Sequence, residues 1–435
     1  MNNNNIRYKN TNNDFVPQIP ENWEFLKMRH IGNLYSGLAG KSGKDFQIEA
    51  SKYKYVPFTS ISNDIRVNLD KLAMVKMSEG EIQNQVNKDD ILFLMSSETQ
   101  EDIGKCAIVQ EQIDNLFLNS FCKGFRISNE EVNANFLIYA LNSLNYRNHF
   151  MIEGKGFTRI NLKQFSIKNL AIALPPHDEQ IAIANFLDKK CEQINQFIQD
   201  KKQLINLLKE QRQSVINSHV NRSENDDSNN WVSHKLKHIS DIKFSNVDKL
   251  THKGEVKVRL CNYVDVYKND YITNKIDFML ATATLEEIEK FKVLKGDIII
   301  TKDSESANDI GIPAFVSEDI ENLVCAYHLA MIRANQEIII DEFLFRKIES
   351  KEVNSQFEVN ATGVTRVGLS IADISNVLIS YPKDINVQKE IIAKIKSETK
   401  TIDETIFKTE EELRLVAEYK EALISNAVTG QLAIA

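Results

Sequence analysis

Apolar positions fall into two alternating regimes along the chain. From about residue 20 to 174, and again from 228 to 381, they come in runs of four to six, such as YKYVPF at 53–58 and DIIIT at 297–301, separated by Asn, Asp, Ser and Gly. Runs of that length between turn formers predict short strands and loops. One helical stretch interrupts each region, beginning near Asn135 and near Asp341. The regime changes at 175–222 and 382–426. No Pro or Gly lies between Pro176 and Arg222, and apolar residues recur at alternating steps of three and four. The first seam is Ala184, Leu187, Cys191, Ile194, Ile198, Lys201, Ile205, Leu208, Arg212 and Val215. The second is Ile392, Ile395, Thr399, Ile402, Ile406, Thr409, Leu413, Val416, Lys420 and Leu423. This spacing keeps each set on one stripe of a helix. A narrow, long stripe needs a partner to bury it, so the two helices are expected to pair as an antiparallel coiled coil. The competing expectation is that each folds back on its own domain. From Ala184 to Val215 the first stripe would run about 46 Å at ~1.5 Å per residue.

The chain also repeats itself. Gly156-Phe-Thr158-Arg159-Ile160 returns as Gly363-Val-Thr365-Arg366-Val367, and Asp90-Ile-Leu-Phe93 as Asp297-Ile-Ile-Ile300. Ser97-Glu98 matches Ser304-Glu305, Ile103-Gly104 matches Ile310-Gly311, and Phe136-Leu137 matches Phe343-Leu344. Trp23 pairs with Trp231, and Ile194 and Ile198 with Ile402 and Ile406. All of these share one offset, drifting by a single residue, and that points to a tandem duplication. Four segments follow: a first globular domain at 1–174, a spacer helix at 175–227, a second domain at 228–381, and a second helix with its tail at 382–435. The expected architecture is α+β: two similar mixed α/β domains separated by two long antiparallel coiled-coil helices and related by a pseudo-two-fold axis.

Composition narrows the function classes. The 435 residues are 42% hydrophobic and 26% charged, as in ordinary soluble globular proteins. No apolar run approaches the ~20 residues of a membrane span, and Met1–Asn5 has no apolar core that would suit a signal peptide. Five scattered cysteines (Cys106, Cys122, Cys191, Cys261, Cys325) fit a reducing cytoplasm rather than a disulfide framework or a thiolate metal site. The net charge of −8 is uneven: residues 1–222 carry 27 basic and 25 acidic groups, and the remainder 26 and 36. DNA contact would therefore need local clusters.

The motifs that could suggest catalysis do not hold. Leu174-Pro175-Pro176-His177 has the outline of the Asp/Asn-Pro-Pro-aromatic loop that grips adenine in methylating enzymes. Leu174, however, cannot accept a hydrogen bond from an amine, and Asp178-Glu179-Gln180 then opens the heptad helix, where proline and acidic residues are favoured. YSGLAGKS at 35–42 has Tyr35 where a phosphate-binding loop needs its first glycine. His234 and His238 lie four apart, but Lys235 replaces the glutamate of a zinc-protease helix. The triplets Glu153-Gly-Lys155 and Glu255-Val-Lys257 have no preceding Pro-Asp of a metal-dependent nuclease. The expectation is a non-catalytic chain with no metal site.

Two domains each followed by a long helix, Pro175-Pro176-x-x-Glu179-Gln180 opening the first, the doubled Gly-x-Thr-Arg segments and the closing Ser425-Asn-Ala-Val-Thr-Gly430 together resemble the specificity subunit of type I restriction–modification enzymes. The resemblance covers about Trp23 to Gly430. One departure is Lys383-Asp-Ile-Asn-Val-Gln388, which carries an extra residue and no Glu-Gln pair. The resemblance implies two target-recognition domains, each reading one half of a split double-stranded DNA target. It implies helices that set the spacing and dock two methyltransferase subunits, with motor and nuclease subunits joining them. AdoMet, and ATP with Mg, would belong to those partners, and this chain would hold no cofactor. The alternative is a two-lobed protein scaffold that binds no DNA.

Loop residues able to meet bases or phosphates are then the candidates for DNA contact. In the first copy they are Lys41, Ser42, Lys44, Thr59, Ser60, Ser62, Asn63, Ser96, Ser97, Glu98, Thr99, Lys155, Thr158 and Arg159. In the second they are Ser245, Asn246, Lys253, Asn262, Tyr263, Lys302, Asp303, Ser304, Glu305, Thr365 and Arg366. The repetition of Thr-Arg in both copies also admits a structural role.

Overall fold

The computed structural model describes residues 7–46, 48, 50–222 and 230–434. The expected N-terminal reading at Met1–Asn5 and the boundary between 227 and 228 lie outside the described residues. The chain divides into two compact units, Met1–Lys201 with Glu411–Ala435, and Lys202–Glu410. Both divisions fall inside the long helices. Each unit therefore holds one globular lobe, the part of a long helix next to that lobe in sequence, and part of the other helix.

In the first unit, Gly32–Ser36, Cys122–Ile127, Ile91–Leu94 and Cys106–Ile108 form an antiparallel four-stranded sheet in that order. Beside it, Lys54–Val56 pairs parallel with Leu116–Leu118 and antiparallel with Ala73–Met74. Ile91–Leu94 is buried at every residue, as its unbroken apolar run predicts for a strand covered on both faces. Helices Ala134–Asn142 and Leu144–Glu153 supply Phe136, Leu137, Tyr146 and Phe150 to the core. The lobe closes where Glu24–Lys27 pairs with Ala171–Leu174, joining its first segment to the strand that precedes the long helix.

The second unit repeats this plan. Ser240–Phe244, Leu329–Ala334, Ile298–Thr301 and Pro313–Val316 form the corresponding sheet, which gains Tyr271–Ile272 as a fifth strand. In the first unit that fifth position is a single parallel bridge, Arg66 to Ile108. Val256–Cys261 pairs parallel with Leu323–Cys325 and antiparallel with Met279–Ala283, and Trp231–Lys235 closes the lobe against Leu378–Pro382.

The long helices run from His177 to Val220 and from Ile385 to Val428, 44 residues each. All twenty seam positions are buried or half-buried. Within the first unit, Lys420 donates to Asn195 at 2.7 Å and Lys201 meets Glu412 at 2.8 Å. Within the second, Arg212 meets Asp403 at 2.7 Å and His219 meets Glu398 at 3.0 Å. As numbers rise on one helix they fall on the other, so the pairing is antiparallel. Folding of each helix onto its own lobe alone is excluded. Leu423, Ala427 and Val428 enter the first lobe's core beside Ile183, Ala184 and Leu187, and Ile216 and Val220 enter the second lobe's core beside Ile392 and Ile395.

No described helix is long and apolar enough to cross a membrane. All five cysteines are free and buried, and no cluster of metal-ligating side chains occurs among the described residues.

Candidate functional site

The doubled Gly-x-Thr-Arg segment builds an exposed hairpin in each lobe. In the first lobe Ser96–Ser97 pairs with Ile160–Asn161, and the Lys155 and Asn161 backbones exchange hydrogen bonds. The turn between them depends on Gly156, whose φ is +153° and where an added Cβ would lie 1.9 Å from the Arg159 carbonyl oxygen. In the second lobe Asp303–Ser304 pairs with Val367–Gly368, the Thr362 and Gly368 backbones exchange hydrogen bonds, and Gly363 has φ +144° with a Cβ position 2.0 Å from the Arg366 oxygen. Only glycine fits such a turn. Phe157 and Val364 at the two tips are fully exposed, and Thr158, Arg159, Thr365 and Arg366 are exposed beside them.

What stands next to the hairpin differs between lobes. In the first, the Arg159 guanidinium lies 4.8 Å over the half-exposed ring of Phe121. Lys123 donates to Ser36 at 3.0 Å, and its ammonium pKa is pulled down by burial and by the charge of Lys168. A basic and aromatic surface of this kind suits a polyanion carrying stacked bases. In the second lobe, Tyr263 and Tyr267 stack at 5.6 Å, and Tyr267 donates to Asp309 at 2.8 Å. Burial raises the Tyr263 phenol, while the neighbouring Ser304 hydroxyl lowers it and the charges of Asp309, Arg366 and Glu305 reach it. Asp303 meets His328 Nδ1 at 2.7 Å and Lys302 Nζ at 3.1 Å. Burial alone would raise the Asp303 carboxyl, but these two partners hold it below the usual range.

The expected residues sort unevenly on these surfaces. Tyr263, Lys302, Asp303, Ser304, Glu305, Thr365 and Arg366 come together in the second lobe, as do Ser96, Lys155, Thr158 and Arg159 in the first. Glu98, Thr99, Thr59, Asn63, Lys44 and Lys253 are exposed, and Ser62 is half-buried with its hydroxyl on Thr59 O. Others are committed to the fold. Lys41 is buried in a 2.6 Å ion pair with Glu81 and a 2.7 Å bond to Lys76 O, so it offers no free ammonium to a phosphate. Ser42 caps a single turn, Gly43–Asp45, through Asp45, and no longer helix presents amides there. Ser60, Ser97, Ser245 and Ser304 are buried. The Ser245 hydroxyl is spent on Cys325 O and that of Ser97 on the Thr99 N–H. Asn246 bonds Glu287, and Asn262 stands at the start of Tyr263–Tyr267 with its backbone N–H on Asp265 and its side-chain oxygen unpaired. His234 lies on a strand with its Nδ1 against Tyr381 Oη, so it shares no helical face with His238. Leu174 is a buried strand residue, and the Pro175 carbonyl accepts from Gln180.

Sequence reasoning missed Phe121, Lys123, Lys168, Tyr267, Tyr327 and His328. Phe157 and Val364 were legible as the variable letter of a repeated motif. The others lie near the hairpin through strand pairing or, for Lys168 and Tyr267, on short helices packed beside it, and no local pattern records either.

A family model described as "Type I restriction modification DNA specificity domain" matches the chain twice, at residues 20–207 and 228–414. The chain is 22% identical over 428 residues to the EcoKI specificity subunit of Escherichia coli K12, covering 95% of this chain and 90% of that one. It is 21% identical over 445 residues to the EcoBI specificity subunit of Escherichia coli, covering 95% and 87%. A chain from a solved type I R-M system assembly shares its fold, with a TM-score of 0.67 at 13% identity over 95% of this chain and 99% of that one.

Proposed function

From a chain that belongs to the type I restriction–modification DNA specificity family, we propose a DNA-recognition subunit whose two lobes each read one half of a bipartite, asymmetric target. The paired helices act as the ruler between half-sites and dock two methyltransferase subunits that methylate adenine. Motor and nuclease subunits complete the restricting assembly. Catalysis, AdoMet, and ATP with Mg belong to those partners, and this chain contributes recognition in the cytoplasm.

The observation that carries the reading is the doubled hairpin. Two lobes of one chain present the same exposed Gly-x-Thr-Arg turn, each beside a different cluster of aromatic and hydrogen-bonding side chains. A constant element beside a variable one is what two readers of unlike sequences require, because backbone contacts position and base contacts specify.

The test is to map N6-methyladenine in a host carrying the whole system. A split motif with an unread spacer of roughly 5–8 base pairs is expected, about a helical turn between half-site centres. Inserting four residues in each helix at paired positions lengthens the pair by ~6 Å and should widen the spacer while leaving the half-sites unchanged. An unchanged spacer would count against the ruler. A gel shift of the assembled methyltransferase on random duplexes separates this reading from a scaffold that binds no DNA.

A further inference from the structure

At corresponding backbone positions beside the hairpin, the two lobes carry opposite chemistry. Met95, Ser96 and Phe121 of the first lobe become Lys302, Asp303 and His328 in the second, each 207 residues later. Three uncharged side chains are thereby replaced by three ionisable ones that hydrogen-bond to one another. The imidazole and carboxylate of His328 and Asp303 lie 2.7 Å apart with about a fifth of each side chain exposed. The Tyr327 ring packs against the imidazole with centroids 3.8 Å apart. A ring held on one nitrogen by a carboxylate and on one face by an aromatic has its orientation and tautomer fixed. In the neutral ring the Nδ1 proton goes to Asp303, which leaves Nε2 as an acceptor. Among the described residues Nε2 has no hydrogen-bond partner.

We propose that His328 reads one base of the half-site taken by the second lobe, its Nε2 accepting from an adenine or cytosine amino group in the major groove, with Asp303 as the positioning residue. The exocyclic amino groups of those two bases are the donors that groove displays. A phosphate oxygen only accepts, so it would need a donor where the neutral ring presents an acceptor, and the neighbouring Lys302 ammonium is turned onto Asp303 at 3.1 Å. The inference rests on the DNA-recognition reading above and adds to it the atom that discriminates.

The experiment uses the complex assembled with its methyltransferase subunits, binding a library of random duplexes that is then sequenced. His328→Phe, which installs the first lobe's side chain, should flatten the preference at one position of the second half-site by roughly 5- to 150-fold, leaving the first half-site and overall affinity for unrelated duplexes unchanged. Asp303→Ala should weaken that same position and no other, a localisation that a purely structural role would not give. Unchanged preferences, or a loss spread evenly over all sequences, would overturn the proposal. Should His328→Phe fail to assemble, His328→Gln decides: a shift confined to that one position supports base reading, and an unaltered motif refutes it. A wild-type complex with no sequence preference at all would instead refute the DNA-recognition reading itself.

Discussion

Gln180 and Gln388, 208 residues apart, make the same three hydrogen bonds. Gln180 Oε1 accepts from Asn133 N at 2.8 Å, and its Nε2 donates to the Glu131 and Pro175 carbonyls at 2.9 Å. Gln388 accepts from Ile340 N at 2.8 Å and donates to Ile338 and Pro382 at 3.2 and 2.8 Å. Both are buried. Each amide therefore latches the start of a long helix to the loop before its lobe's α-helical pair, and in doing so satisfies one buried carbonyl, that of Pro175 or Pro382. The extra residue at the second helix start is absorbed between Pro382 and Gln388, and the glutamine keeps its place.

Gln180→Leu and Gln388→Leu should each destabilise the chain by about 1–3 kcal/mol, the cost of leaving the buried Pro175 or Pro382 carbonyl unpaired. Chemical denaturation of the assembled complex would measure this. A change near zero for both would mean that water replaces the latch.

Gly156→Ala and Gly363→Ala should distort the hairpins without unfolding the lobes, because the added Cβ meets a backbone oxygen at 1.9–2.0 Å while the tips are exposed. The local cost is about 1–3 kcal/mol. DNA affinity should fall, while the thermal midpoint drops by only about 2–4 °C for each kcal/mol of that local cost. Full affinity in both variants would remove the hairpins from the interface.

Arg212 is a charge in an apolar seam. It meets Asp403, Glu349 and Asp270 at 2.7–2.9 Å, and only Glu349 among them is well buried. Arg212→Met should cost about 2–3 kcal/mol, less than the ~3–5 expected when a fully buried pair is broken. Lys201→Met, which breaks a more exposed pair with Glu412, should cost under ~1 kcal/mol. Equal losses in the two variants would contradict this ranking.

Glu81 titrates at about 2, held down chiefly by its hydrogen bond from Lys41, then by the Ser78 backbone and Gln83. Its folded pKa is depressed, so its contribution is fully present above the ordinary carboxylate pKa of ~4.3 and is lost as pH falls towards 2. A carboxyl NMR titration should find this low value, and Lys41→Met should move it up towards the ordinary range. A normal pKa in the unsubstituted protein would refute the tether.

The amino-acid sequence determined the elements that depend on periodicity and repetition. The heptad steps from Ala184 to Val215 and from Ile392 to Leu423 fixed which stripe each helix buries, since side-chain direction follows from residue number on a helix. The 207-residue offset determined that one lobe plan occurs twice, and it marked Gly156 and Gly363 before any turn was seen. Tertiary structure decided which side chains meet. Lys41 reads as a free loop lysine until Glu81, forty residues on, is found beside it. His328 carries no signal until the pairing of distant strands sets it against Asp303. Contacts of that kind depend on strand register and packing between segments far apart in the chain, and local composition does not encode them.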